Sequence, residues 1–231
     1  VDGLISNHAG PYQVRLTQTT DYYNPEAVPY IEDAVVSIND ASGSSIPLNY
    51  TEKGIYITDS TWLAQPNTNY TLSINSSDES YTANSTMPAI VSIDSAYYTR
   101  YPGFFGQDSV TIFTFTLQDP PGVPTYLRAK LYIDGELQNN YYLYEDKFTD
   151  GEEVPFDLFA ENSVSGTHLA VALFHLDKAT YDYYFTLNEI LQGGGGGFSS
   201  AVPDNPISNI SNDALGYFGA VSVDTVSIVL P

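Results

Sequence analysis

A chain of 231 residues, 42% hydrophobic and 14% aromatic, holds enough apolar material to fold around a core, which sets disorder aside. Its 7 basic residues face 28 acidic ones, a formal net charge of −21 that repels phosphate backbones and anionic headgroups and so argues against a nucleic-acid partner. Cysteine is absent, which removes disulfides and thiolate metal sites, and no apolar run approaches the roughly 18–20 residues of a membrane-spanning helix.

The first part of the chain reads as short strands between turns. Leu4-Ile5 is followed by Tyr12–Thr17, which alternates with period two, and then by Ala34–Ile38, which stops at the turn-forming run Asn39–Gly43. Ile46–Tyr50, Gly54–Thr58, Tyr70–Ile74 and Tyr81–Met87 follow at short, even spacing. Such a series predicts an immunoglobulin-like β-sandwich over residues 1–88, closed by Pro88, which cannot donate to a strand ladder. Val1 opens directly in this pattern with no signal peptide ahead of it, so the N-terminus reads as truncated or processed.

Residues 89–231 predict a second, larger sandwich with one short helix. Its strands are Ser109–Leu117, Thr125–Ile133, Gln138–Tyr144, Val154–Leu158, His168–Leu176 and Ala220–Leu230. Asp134-Gly135 between two alternating runs is a hairpin signal. Asp119-Pro120-Pro121-Gly122 reads as a rigid loop. The helix falls near 178–191, with Asp177 as its N-cap and Tyr181, Tyr184, Phe185 and Leu191 at helical offsets; the tract Gly193–Gly197 ends it. The fold class is therefore all-β, in two β-sandwich domains.

Catalytic motifs are missing. The glycine tract follows a helix instead of preceding one, and lacks the Lys and Ser/Thr of a phosphate loop, so it reads as a connector. His168 and His175 fall on opposite faces of one predicted strand; His8 is remote in sequence, and neither Gly-x-Ser-x-Gly nor His-Glu-x-x-His occurs. No catalytic residue and no cofactor site is assigned. The densest acidic group, Asp146, Asp150, Glu152 and Glu153, does not have the spacing of a twelve-residue calcium loop; a solvated hairpin is the main reading and calcium the minor one. Tyr97, Tyr98, Tyr101, Phe104 and Phe105 read as an aromatic loop just after the domain boundary, packing between domains first and contacting a partner second. Tyr22-Tyr23 and Tyr141-Tyr142 are further aromatic pairs.

Several stretches carry a family resemblance. Leu176–Tyr184, Gly193–Ser200, Asn205–Ile210 and Ala214–Ala220 form one closing block. Gly10-Pro11-Tyr12 with Val14-Arg15-Leu16, Tyr81–Pro88, Asp119–Gly122 and Phe148–Glu152 agree with it in order. Together these resemble a Bacteroidota outer-membrane lipoprotein family, domain of unknown function 4249. The resemblance implies a cell-surface protein held by an acylated cysteine that this chain does not contain, with membrane contact only through that anchor. It further implies partnership with an outer-membrane barrel, such as a TonB-dependent transporter, or with other surface lipoproteins. A carbohydrate- or peptide-binding module delivering ligand to a transporter is the alternative. The family has no established chemistry, so no residue role is carried over. Asp94-Ser95-Ala96, Asp108-Ser109-Val110 and Asp224-Thr225-Val226 also resemble the O-glycosylation acceptors of Bacteroidota, which makes Ser95, Ser109 and Thr225 candidates for modification.

Overall fold

The computed structural model describes residues 1–19, 29–77, 79–102, 110–161, 163–193 and 205–231. Tyr22-Tyr23, Phe104, Phe105, Ser109 and most of the glycine tract, from position 194 on, lie outside the described residues. The described chain is mostly β with one helix. It divides into two compact units, Val1–Pro88 with Leu176–Ser222, and Ala89–His175 with Val223–Pro231.

The first unit contains β1 (Asp2–Ser6), β2 (Gln13–Arg15), β3 (Val35–Asp40), β4 (Ser45–Tyr50), β5 (Ile55–Ile57), β6 (Thr68–Ser76) and β7 (Glu79–Met87). The hydrogen-bonded order runs β1-β2-β5-β4-β3-β6-β7, every neighbouring pair antiparallel. Alternating residues of these strands, among them Ile5, Val14, Val36, Ile38, Tyr56, Leu72 and Ile74, enclose one apolar core. The lone tryptophan, Trp62, sets its ring edge-on to Tyr12 and Tyr70 against that core.

The second unit contains β8 (Ser95–Tyr101), β9 (Val110–Gln118), β10 (Tyr126–Ile133), β11 (Glu136–Leu137), β12 (Tyr142–Glu145), β13 (Glu153–Ala160) and β14 (His168–Leu176). One sheet has the order β13-β9-β8. Its apolar residues Phe113, Phe115, Leu117 and Leu158 share a core with Leu127, Leu131, Leu169, Val171 and Leu173 of β10 and β14. Asp134 and Gly135 both have positive φ, 50° and 86°, the backbone of the two-residue turn that the Asp-Gly pair predicts.

After β14 come α1 (Lys178–Leu191) and β15 (Tyr217–Val229), a strand whose residues belong to both units. In its first half β15 pairs in parallel with β1, from Asp2↔Tyr217 to Ser6↔Val221. That half is buried on both faces, while the second half alternates. One covering layer is α1: a Cβ on Gly219 would lie 3.0 Å from the Thr180 side chain, so only glycine admits the helix this close. By hydrogen bonding, β11-β10-β14-β15-β1 and the strands beyond, with β12 on β10, make a 12-stranded mixed sheet beside the 3-stranded one.

These facts correct three expectations. The segment Leu176–Ser222, assigned by sequence to the second domain, belongs to the first unit, because β15 pairs with β1 and α1 packs on it. The predicted loop at Tyr97 is strand β8, held by seven register pairs to β9. Finally, Gln138–Tyr144 is not one strand; the pairing breaks at Asn139-Asn140, between β11 and β12.

Candidate functional site

Two loops meet at one end of the second unit for a topological reason. β13 pairs with β9 so that Glu153 faces Gln118, and β12 pairs with β10 so that Glu145 faces Tyr126. The β9–β10 and β12–β13 connections therefore emerge together. In the first, Pro120-Pro121 cannot extend a ladder and Gly122 takes φ +74°. In the second, Gly151 takes φ +75°, and a Cβ there would stand 3.0 Å from Pro121 Cβ. The loops interlock through the Asp119 amide on the Glu152 carbonyl at 3.0 Å, and through Gln118 Nε2 on the Gly151 carbonyl at 2.9 Å.

Their junction gathers three carboxylates. One oxygen each of Asp119, Asp146 and Asp150 lies within 4.8 Å of the others. Asp119 is wholly buried (0% exposed), Asp146 nearly so (8%), and Asp150 is exposed. Asp119 Oδ2 accepts from the Gly151 amide at 3.0 Å, and Asp150 Oδ1 accepts from the Gly122 amide at 2.6 Å. Asp119 Oδ1 is buried with no hydrogen-bond partner. Burial pushes the Asp146 carboxyl above its ordinary value; the negative charges of Asp119 and Asp150 push the same way, and amide donors at Thr125 and Asp146 itself oppose them. The Tyr144 hydroxyl pairs with Thr149 Oγ1. It is likewise raised, first by burial and then by the charges of Asp119, Asp146 and Glu152, which marks how negative the junction is. Among the described residues no basic side chain pairs with any of the three; the recorded ion pair is Lys178–Asp182, on α1.

Of the four acidic residues picked from the sequence, Asp146 and Asp150 join this group, and Glu152 and Glu153 do not. Asp119 was missed, since it stands far from the acidic run. Its only local signal is a carboxylate directly between an apolar strand and Pro-Pro-Gly.

A second feature lies on the other face of the three-stranded sheet. The register aligns Tyr101 with Val110, Thr99 with Ile112 and Phe159, and Tyr97 with Thr114 and Asp157. Strand parity puts these opposite Phe113, Phe115 and Leu158, which face the core. Tyr97, Tyr101, Val110 and Phe159 are each exposed, forming an apolar patch, and β8 ends the hydrogen-bond order of its sheet. Tyr98, in register with Phe113, has the opposite parity and is itself exposed (38%).

Other sequence candidates stay apart. Ser95 is exposed and its hydroxyl pairs with Thr116 at 2.8 Å. Thr225 is exposed on β15 beside Asp224, whose carboxylate accepts from the Ile93 and Thr225 amides. His175 is buried and its Nε2 accepts from the Val91 amide at 3.2 Å, whereas His168 at the other end of β14 is exposed. In the first unit a cavity of about 720 Å³ is lined by Leu16, Ile31, Ile74, Tyr81 and the carboxylates Glu79 and Asp213, among others.

The family model described as Domain of unknown function (DUF4249) matches residues 1–227. The chain belongs to that family. It matches no curated protein and no solved structure. Two stretches that carry the DUF4249 resemblance, Asp119–Gly122 and Phe148–Glu152, are the loops that meet at the carboxylates.

Proposed function

We propose that this DUF4249 chain is a non-catalytic, lipid-anchored cell-surface protein of Bacteroidota. In this reading it serves as an accessory or binding subunit of an outer-membrane complex, such as a TonB-dependent transporter. The observation that carries the reading is the exposed apolar patch of Tyr97, Tyr101, Val110 and Phe159 on a sheet that, among the described residues, ends at the edge strand β8. Tyrosines offer large contact area at low entropic cost, and an unpaired strand edge offers backbone donors and acceptors to an extended segment. A net charge of −21 favours a partner with a basic surface. The occupant is thus a basic, extended segment of an outer-membrane protein.

The scaffold is of the kind that displays such surfaces. We read the first unit as immunoglobulin-like: with β1 to β7 labelled A to G, the neighbours β1-β2-β5-β4 and β3-β6-β7 correspond to the A-B-E-D and C-F-G sets, here joined through β4 and β3, which supports that reading. We read the second unit as a further sandwich, of the 3-stranded sheet on β10, β14 and the end of β15. The test is purification of the tagged full chain from outer membranes. The wild type is expected to retain a stoichiometric barrel protein, and Tyr97→Thr/Tyr101→Thr to lose it. A wild-type chain that emerges alone and monodisperse from gentle extraction defeats the reading.

The alternative, a module that binds carbohydrate or peptide, draws support from the cavity in the first unit, whose size suits a small ligand and whose Tyr81 ring and two carboxylates provide polar contacts. Saturable binding of a glycan or peptide to the soluble chain, abolished by Tyr81→Ala and untouched by the β8 substitutions, would favour it.

A further inference from the structure

We infer that Asp119, Asp146 and Asp150 bind a calcium ion that clamps the β9–β10 loop to the β12–β13 loop. Backbone donors account for part of this cluster: the Gly151 amide for Asp119 Oδ2 and the Gly122 amide for Asp150 Oδ1. They leave Asp119 Oδ1 unexplained. That oxygen is sealed from solvent and has no donor, and its carboxylate faces those of Asp146 and Asp150, with no basic side chain paired to any of them among the described residues. A buried anion is retained when something neutralises it. Here the missing group must be small, positively charged and able to take several oxygens.

The geometry suits Ca²⁺. At ligand distances of 2.3–2.6 Å, opposed oxygens on this ion stand roughly 4.6–5.2 Å apart, and neighbouring ones closer. Three carboxylate oxygens within 4.8 Å of one another are close to that spacing, so small side-chain adjustments bring them onto one ion. Mg²⁺ demands near-ideal octahedral geometry at about 2.0–2.1 Å and usually binds through only one or two carboxylates, whereas three converge here. One dication turns a local charge of −3 into −1. Because Asp150 is exposed, it gives the ion a way in and leaves room for water to complete the shell. The site is independent of the partner proposed above.

The test is calorimetric titration of the chelator-stripped full chain with CaCl₂, paired with thermal melts at matched ionic strength. One ion per chain is expected, with Kd near roughly 0.1–1 mM, the range of extracellular modules, and a raised Tm. Asp119→Asn should weaken binding at least tenfold and reverse the order of stability: above wild type in chelator, where a buried charge has been removed, and below it in saturating calcium. Should that variant not fold, Asp150→Asn changes an exposed residue and is expected to weaken binding by about fivefold or more, while Glu153→Gln binds as wild type does. Absence of binding, an equal Tm rise with MgCl₂ or with NaCl alone, or wild-type affinity in both aspartate variants would overturn the assignment.

Discussion

Asp177 and Asp119 occupy similar places in the chain and end up in opposite electrostatic conditions. Each follows a strand whose apolar residues are buried, Asp177 after β14 and Asp119 after β9. Asp177 Oδ1 accepts from the Thr180 amide at 2.9 Å, capping α1, and its Oδ2 accepts from the Ser85 hydroxyl at 2.7 Å and the Thr86 amide at 2.9 Å. Asp119 has one amide donor, one orphaned oxygen and two carboxylate neighbours. A carboxylate surrounded by donors is architecture. One surrounded by carboxylates is waiting for a cation.

The comparison breaks most visibly by removing the satisfied member. Asp177→Ala strands three donors and uncaps the helix, and should cost about 2–4 kcal/mol in urea unfolding; a cost below about 1 kcal/mol would show the cap network to be incidental. The next test concerns the same helix turn. Gly219→Ala places a methyl 3.0 Å from Thr180 Cγ2 and Oγ1 and 3.1 Å from Leu4 Cδ1, with backbone-anchored elements on both sides. Overpacking of that kind should cost about 1–3 kcal/mol, with the helix losing amide-exchange protection first.

Much of this was legible in advance. The span of β14 and the helix start at Asp177 follow directly from alternation and capping chemistry. Strand β8 was not legible, because almost all of its residues are exposed and an edge strand with no fully buried residue leaves little period-two signal. The return of Leu176–Ser222 to the first unit depends on the parallel pairing of β1 with β15, and sequence patterns do not encode such a non-local choice. At the carboxylates, local acidic density found Asp146 and Asp150. It could not find Asp119, which the register of β9 with β13 brings to the group.

A second under-compensated charge sharpens the contrast. Lys130 on β10 lies with Nζ 4.4 Å from the centroid of the Phe174 ring. Burial, and secondarily Arg128, lowers its pKa from 10.5 to about 8. The folded chain therefore holds fewer protons than the unfolded one between those values, so stability rises with pH across that window. Lys130→Met keeps the stem and removes the charge. It should stabilise the protein by about 1 kcal/mol near pH 7, after allowance for solvent screening of a partly buried group, and the difference from wild type should vanish above pH 10.5. A pH-independent difference would mean that packing against Phe174, and not the charge, sets the effect.

The smallest stability change belongs to the residues given the largest functional role. Tyr97 and Tyr101 are half-exposed on the outer face of β8 and use no core volume. Threonine keeps their preference for extended backbone. Tyr97→Thr/Tyr101→Thr should therefore shift unfolding free energy by no more than about 0.5 kcal/mol while abolishing retention of the barrel partner. Tyr98→Thr serves as the internal contrast: it pairs with Phe113 in register, on the opposite parity from Tyr97 and Tyr101, although it too is exposed (38%), so a modest loss in the melt is expected. If the outer-face pair destabilises the chain by more than Tyr98→Thr does, those rings are packed within the molecule, and the patch is not a free surface for anything to bind.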